Sequence, residues 1–261
     1  MNTADTYLEE RRSEIVKIVN SQGKVSTKEL SNLLGLSLVT IRNDINQLAE
    51  LGVIVKTHGG ALSTSKVLNF EVPAAAKSLR NRKEKEGIGS MAASLVNDGD
   101  VVILDAGSTT FEVAKNIKAK DVTVITNDIQ IAYYLIENTR IKTIVPGGTC
   151  APDVYTLVGT QTSKFIEMLH ADKVFLGCDA IDFRFGITNR TLEEVAIKQA
   201  MINSSDKVIA VVDSTKHDTY VFVKVCGLAD LDVLITDRIS DTNRAIASDL
   251  GVEVLISGES K

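Results

Sequence analysis

The chain lacks tryptophan and holds only three prolines, three cysteines and three histidines among its 261 residues. It contains no apolar run of about 18 residues, which argues against a membrane-spanning helix. Its first ten residues are polar and acidic, unlike a secretory signal. Cys150, Cys178 and Cys226 are odd in number and widely spaced, and no CxxC or Cys/His cluster accompanies them. That pattern weighs against a disulfide framework and a structural zinc site, so no metal is expected, and it fits a reducing cytoplasm. An excess of positive charge is also missing, because 29 Lys+Arg against 34 Asp+Glu leave a net −5. Such a balance excludes a protein that coats nucleic acid with a uniformly basic surface. There is no internal repeat and no low-complexity tract. With 44% hydrophobic and 24% charged residues, the composition is that of a globular protein. At roughly 100–200 residues per domain, two domains are expected.

The charge is unevenly spread. Residues 1–66 carry eight Lys/Arg and seven Asp/Glu, a net +1, and residues 67–86 carry five and three, a net +2. The remainder of the chain therefore holds −8. A mildly basic first third ahead of an acidic body is compatible with one segment that meets a polyanion and another that does not. The texture changes at the same place. Residues 63–72 read as a linker, and 74–96 read as a charged connecting helix whose basic stretch Lys77–Lys85 forms a solvated face.

In the first segment Tyr7, Leu8, Ile15, Ile18 and Val19 recur at helical spacing, and Gly23 stops that helix. Ser26-Thr27-Lys28-Glu29 is a capping box that opens a second helix with Leu30, Leu33 and Leu34 on its apolar face. Gly35-Leu36-Ser37 is a tight corner, and Ser37 caps a third helix over 38–51. Two helices joined by so short a turn form a helix-turn-helix. On the third helix Leu38, Ile41, Ile45 and Leu48 share the core side. The opposite side carries Val39, Thr40, Asn43, Asn46, Gln47 and Glu50, with Arg42 on its flank. Neutral amides and hydroxyls read base edges, whereas Arg and Lys also hold phosphates. Residues 53–57 read as a strand, His58-Gly59-Gly60 as a turn, and Ala61-Leu62 as the start of a return strand. A hairpin after a recognition helix is a wing, with Lys56 and His58 at its tip. The candidate DNA-contacting set is therefore Thr40, Arg42, Asn43, Gln47, Lys56 and His58, with double-stranded DNA as partner. A three-helix domain that binds another protein is the competing interpretation.

The second segment alternates short apolar strands with helices, the pattern of an α/β fold with a mainly parallel sheet. Strands are expected at 101–104, 122–125, 142–145, 174–177, 208–212, 233–236 and 252–256. In such sheets ligands bind beyond the carboxyl ends of the strands. Small polar clusters sit at those ends: Asp105 to Thr110, Thr126-Asn127, Gly147-Gly148, Asp179, and Asp213 to Lys216. Gly107-Ser108-Thr109-Thr110 opens a helix, so its backbone N–H groups and hydroxyls suit a phosphate. It is neither GxxxxGK[ST] nor GxGxxG, so a nucleotide cofactor has no support. Lys198 or Lys216 can supply a cation, and Asp105, Asp179 and Asp213 can accept bonds from sugar hydroxyls. The plainer possibilities are that Thr191-Leu192-Glu193-Glu194 is a capping box and that Lys198 pairs with Glu194 one turn away.

Residues 7–62 resemble the DeoR-type helix-turn-helix through Arg12, Ile15, Leu30, Leu33, Thr40-Ile41-Arg42, Asp44, Leu48, Gly52 and His58-Gly59-Gly60-Ala61. Asn43 stands where the family usually has a second Arg. The Thr-Ile-Arg-Asn-Asp form is similar to that of the branch governing the N-acetylgalactosamine pathway. Residues 75–256 resemble the DeoR C-terminal sensor domain through Asp105-x-Gly-Ser-Thr-Thr, Thr126-Asn127, Gly147-Gly148, Leu157-Val158-Gly159, Gly177-Cys178-Asp179, Gly186-Ile187-Thr188, Glu194 with Lys198, and Asp213-Ser-x-Lys216. Ala106-Gly107-Ser108 replaces a commoner Ser-Gly-Thr, and Ala180 replaces a common Gly. The resemblance implies a winged helix-turn-helix over 7–62, a linker over 63–74, and a Rossmann-like sensor over 75–256 related to ribose-5-phosphate isomerase. It implies a cytoplasmic repressor of a carbohydrate operon that forms a dimer or tetramer and needs no cofactor. Its effector would be a phosphorylated sugar held by Asp105, Gly107, Ser108, Thr109, Thr110, Asn127, Gly147, Gly148, Asp179, Lys198, Asp213 and Lys216. The rival from the same resemblance is a sugar-phosphate isomerase, with Asp179 as base and Lys198 as phosphate or proton-relay partner.

Overall fold

The structure, a computed structural model, describes residues 3–63, 77–78, 80–150 and 154–258. The expected linker lies outside the described residues apart from Ser63. The chain divides into two compact units, Met1–Arg82 and Lys83–Lys261.

The first unit runs α1 (Thr3–Gln22), β1 (Lys24–Ser26), α2 (Thr27–Leu34), α3 (Leu38–Glu50), β2 (Ile54–Thr57) and β3 (Gly60–Ser63). Ser26 and Glu29 form the reciprocal capping box, with the Glu29 N–H donating to Ser26 Oγ at 3.1 Å and the Ser26 N–H donating to Glu29 Oε2 at 2.8 Å. Gly35, at φ 65, ends α2, and Ser37 caps α3. Ile15, Val19, Leu30, Ile41, Ile45, Leu48 and Ile54 build one buried core. Two expected core positions are corrected. Leu33 is 58% exposed and Leu38 is 42% exposed. A two-turn helix buries one narrow stripe, here Thr27 and Leu30, and Leu38 is the first residue of α3, at the open end of the stripe of Ile41, Ile45 and Leu48. β1 was not legible as a strand. Its three residues acquire a partner only when β3 folds back, giving an antiparallel sheet in the order β1-β3-β2. Gly60 permits that approach, because a Cβ there would run into the Val25 carbonyl oxygen.

Next comes α4 (Arg82–Ala93); of the expected helix over 74–96, residues 77–78 are helical and residues 74–76 and 79 lie outside the described residues. α4 starts after Asn81, whose φ of 50 is not helical. Lys85 is buried, so the basic stretch is not a purely solvated face. There follow β4 (Val101–Leu104), α5 (Ser108–Asn116), β5 (Thr123–Thr126), α6 (Ile129–Asn138), β6 (Lys142–Ile144), β7 (Thr149–Cys150) and β8 (Leu157–Val158). Then come α7 (Thr160–Glu167), β9 (Ala171–Leu176), β10 (Ala180–Asp182), β11 (Gly186–Asn189), α8 (Leu192–Asn203) and β12 (Ser205–Val211). The second unit ends with β13 (Val223–Cys226), β14 (Val233–Thr236), α9 (Asp241–Asp249) and β15 (Glu253–Ile256). The main sheet has seven parallel strands in the order β15-β14-β12-β9-β4-β5-β6.

Alternate residues of each strand feed two cores. Val102, Leu104, Val124, Phe175, Ile209 and Ile235 face Ile88, Val113, Ile131 and Leu135 of α4, α5 and α6. Ile103, Ile125, Val174, Leu176, Ala210 and Leu234 face Ile166, Ile197, Met201 and Ala247 of α7, α8 and α9. Burial on both faces explains why these strands read as continuous β-branched runs. Two smaller antiparallel sheets, β7-β8 and β10-β11-β13, complete the unit. Their strands are two to four residues long, too short to show a period in sequence. From β4 the chain winds outward to β5 and β6, then returns to β9 and continues the other way. The strand order thus reverses between β4 and β9, and the carboxyl ends of those two strands flank the crevice that such a reversal creates.

Candidate functional site

In the first unit α3 presents Arg42, Asn43 and Gln47 to solvent, and Lys56 and His58 are exposed on β2 and the wing turn. Thr40 is only half-buried, but its hydroxyl shares a 2.8 Å hydrogen bond with Ser37 Oγ and its N–H donates to the same oxygen. It therefore serves the helix cap before any ligand. Beneath this face lies a group to which the sequence pattern assigned no role. Asp44 is buried, and its carboxylate accepts from Arg11 Nε at 2.7 Å, Arg11 Nη2 at 3.0 Å and Arg12 Nε at 3.3 Å. A buried carboxylate is tolerable only when paired and hydrogen-bonded in this way. The contact ties α1 to α3. Arg12 also donates through Nη2 to Gln47 Oε1.

In the second unit the crevice between β4 and β9 is closed at its floor by an ion pair. Asp105, the residue after β4, accepts from the Gly177 N–H at 2.9 Å and from Lys198 Nζ. Lys198 is buried and donates also to the Gly177 carbonyl at 3.0 Å. Burial works against a charge on Lys198, but the carboxylates of Asp105, Glu194 and Asp179 outweigh it and raise its pKa. Lys198 therefore remains an ammonium and holds Asp105. The expected pairing of Lys198 with Glu194 alone is corrected, because Glu194 Oε2 instead accepts from Asn189 Nδ2 at 2.8 Å. Thr191 still caps α8 by accepting from the Glu194 N–H at 3.4 Å.

The Gly107–Thr110 turn sits beside this pair. Gly107, at φ 153, starts α5 without a side-chain cap. Its N–H is already donated to Asp128 Oδ2 at 3.2 Å, and the Thr110 hydroxyl turns back to the Gly107 carbonyl at 2.8 Å. Thr109 and Thr110 are buried, which leaves Ser108 as the half-exposed hydroxyl of the turn. Asn127 donates to the Leu157 carbonyl at 3.2 Å, while its buried Oδ1 has no partner among the described residues. Asp179 accepts from the Arg190 N–H at 3.2 Å. Lys216, half-buried, donates to the Cys178 carbonyl at 2.5 Å, and Asp213 caps its short helical turn. Lys216, Lys198, Asp179 and Asp213 all lie close enough to act electrostatically on Cys178, whose thiol burial pushes up to about 12. Asp105, Gly107, Asn127, Asp179, Lys198, Asp213 and Lys216 thus gather around one end of the sheet. Gly147 and Gly148 are exposed farther along, where the Gly147 carbonyl accepts from Thr162 Oγ1 at 2.7 Å.

Asp128 is the acid that sequence inspection missed. It caps α6 by accepting from the Gln130 and Ile131 N–H groups at 2.7 and 3.1 Å. Burial raises its pKa from 3.8 to about 6 against those bonds, and Asp105 adds to the rise. The signal was available, since an Asp directly before an apolar helical run is a common cap.

The DeoR-like helix-turn-helix domain matches residues 11–67, and the DeoR C terminal sensor domain matches residues 80–238. The chain belongs to the DeoR family. The HTH-type transcriptional regulator GolR of Listeria innocua is 34% identical over 233 residues, covering 88% of this chain and 90% of its own. A putative aga operon transcriptional repressor of Escherichia coli O157:H7 is 33% identical, covering 97% and 96%. The repressor GlcR of Bacillus subtilis is 34% identical, covering 96% and 97%. This DeoR-family chain is accordingly a DNA-binding transcriptional regulator and not an enzyme. A ribose 5-phosphate isomerase A of Methanocaldococcus jannaschii matches 52% of the chain and 55% of its own at 15% identity and a TM-score of 0.40, too distant to bear on activity. Among the described residues no helix is long and apolar enough to cross a membrane.

Two outcomes test this geometry. Asp105→Ala and Lys198→Ala should each cost about 3–5 kcal/mol, because each strands a buried charge. The double variant should cost clearly less than the sum, measured by urea unfolding, and strict additivity would remove the pair. For Asp128 the folded pKa lies above the unfolded one. The stability it contributes is therefore full below pH 3.8 and is lost as pH rises through about 6. Asp128→Asn keeps a capping oxygen but does not titrate. Its stability relative to the parent should rise by about 2 kcal/mol between pH 4.5 and 7. A difference that stays constant with pH would sink this account.

Proposed function

We propose that this regulator represses a carbohydrate uptake or catabolism operon in the cytoplasm and that a phosphorylated sugar releases it. The observation that carries the effector half is the crevice between β4 and β9. At the carboxyl ends of β4, β5 and β9 lie, in turn, a helix start lacking a side-chain cap, the buried Asn127 Oδ1 without a partner among the described residues, and Lys216 on the Cys178 carbonyl. A phosphate suits the helix start and the cation, and a sugar hydroxyl is a donor that would complete Asn127 Oδ1. Lys198 acts on such a ligand through Asp105 rather than by direct release, because freeing it would strand a buried carboxylate. We assign Ser108, Asp179 and Asp213 to the same ligand, with Gly147 and Gly148 at its outer edge. No cofactor is needed.

In the DNA-contacting half, Arg42, Asn43 and Gln47 face base edges while Lys56 and His58 approach the backbone from the wing. The working boundaries are 7–62 for the winged helix, 63–74 for the linker and 75–256 for the sensor. A dimer or tetramer would place two α3 helices on successive major grooves, about 34 Å apart. Relief of repression by tens-fold requires a coupling of about 2 kcal/mol between the two sites. The relatives named as repressors support this direction of control.

A thermal-shift screen of phosphorylated sugars tests the effector, since a ligand of the folded state raises its apparent stability. Lys216→Ala should bind operator normally and fail to respond to the sugar that stabilises the parent chain. A normal response would remove Lys216 from the pocket. Arg42→Ala should weaken operator binding by roughly tenfold or more in a salt-titrated shift assay. Unchanged affinity would move the interface off α3.

A further inference from the structure

We propose that Arg12 sets the base preference of α3 by fixing which way the Gln47 amide faces. The inference rests on the reading above that α3 meets base edges. Gln47 is exposed on α3, and its Oε1 accepts from Arg12 Nη2. A guanidinium offers donors and no acceptor, so the amide must turn its oxygen toward Arg12 and its NH2 outward. Arg12 does not wander. Its Nε donates at 3.3 Å to the buried Asp44, which is gripped independently by two bonds from Arg11. The rotamer freedom of this long side chain is therefore lost on folding rather than on binding DNA. Burial of the pair under a nucleic acid would strengthen it, since water no longer competes for either partner.

The consequence is chemical. An unrestrained glutamine presents oxygen and NH2 together and pairs bidentately with adenine, accepting from N6 and donating to N7. Held by Arg12, Gln47 has one Oε1 lone pair already taken and turns its two N–H donors outward. Outward donors match the O6 and N7 acceptors of guanine or the O4 acceptor of thymine, and they oppose the N4 amine of cytosine and the N6 amine of adenine. Arg12, on a different helix and 35 residues away in sequence, is thus a positioning residue that converts an adenine reader into an acceptor reader. Gln47 is the residue that touches the base.

The test selects binding sites from a randomised 30-base-pair duplex library with the full-length chain, its Arg12→Met variant and its Gln47→Met variant. Arg12→Met keeps an apolar stem and leaves Asp44 both bonds from Arg11. The parent should prefer guanine or thymine at one position of each half-site. Arg12→Met should admit adenine at that position, with a relative affinity gain of about fivefold or more, and leave the other positions unchanged. Gln47→Met, which disturbs no buried group, should erase the preference at the same position, and the double variant should match it. Three results would overturn the proposal. The first is an unchanged preference in folded Arg12→Met, and the second an unchanged preference in Gln47→Met. The third is a uniform loss across all sequences with a shallower salt dependence, which makes Arg12 a phosphate contact. A parent chain that enriches no duplex would instead defeat the underlying assignment of α3 to DNA.

Discussion

The buried pair between Lys198 and Asp105 stands where the seven-stranded sheet reverses its winding. Asp105 follows β4, Gly177 follows β9, and Lys198 comes from α8, so one ammonium and one carboxylate bind three separate parts of the chain. Without the cation, Asp105 would have to be neutral or displaced, and the crevice between the two strand ends would lose its floor. The remaining polar groups at these strand ends are each held by a partner of their own. Gly107 is held by Asp128, Asn127 by Leu157, and Lys216 by the carbonyl of Cys178.

The first unit uses the same device on a smaller scale. Asp44 is a buried carboxylate whose partners, Arg11 and Arg12, come from another helix. In both units a charge inside the fold is tolerable because its partners are pre-placed by helices that apolar packing has already fixed. The candidate contact surface is then one bond away from a buried acid or its partner: Gln47 beyond Arg12 in one case, the Gly107 turn beyond Asp128 in the other. This arrangement converts the rigidity of a core into orientation at a surface, which a flexible polar side chain alone does not have. The acidic character of the body is consistent with its inner chemistry, because several of its carboxylates are engaged with cations or backbone N–H groups rather than displayed.

Much of the architecture was legible because it rests on local rules. The capping box at Ser26 and Glu29, the Gly35 corner, the cap at Ser37 and the wing turn at His58–Gly60 each depend on residues within a few positions of one another. The five inner strands of the main sheet were legible because burial on both faces makes them apolar runs. The division of charge pointed to a basic head and an acidic body before any contact was known. What escaped depended on distance in the chain. The short strands β1, β7, β8, β10, β11 and β13 lack the apolar run of the inner main-sheet strands and are defined by their partners. Leu33 and Leu38 fit an apolar pattern yet lie outside the core, since the pattern cannot say how wide a stripe a two-turn helix buries.

The candidate pocket divides along the same line. The strand-end placement of Asp105, Gly107, Asn127, Asp179, Asp213 and Lys216 followed from sequence, because an α/β sheet puts its loops there. The partnerships did not. Glu194 lies one turn from Lys198 and was the natural candidate for it, but the ammonium goes to Asp105, 93 residues away. Asp128 is a buried cap with a raised pKa. Sequence alone determined the helices and the inner strands of the main sheet, which follow from periodicity and capping, and the family, which follows from the resemblance of its motifs. Only the tertiary structure decided which charges meet, because a buried charge chooses its partner by three-dimensional proximity and desolvation, and neither is a local property of the chain.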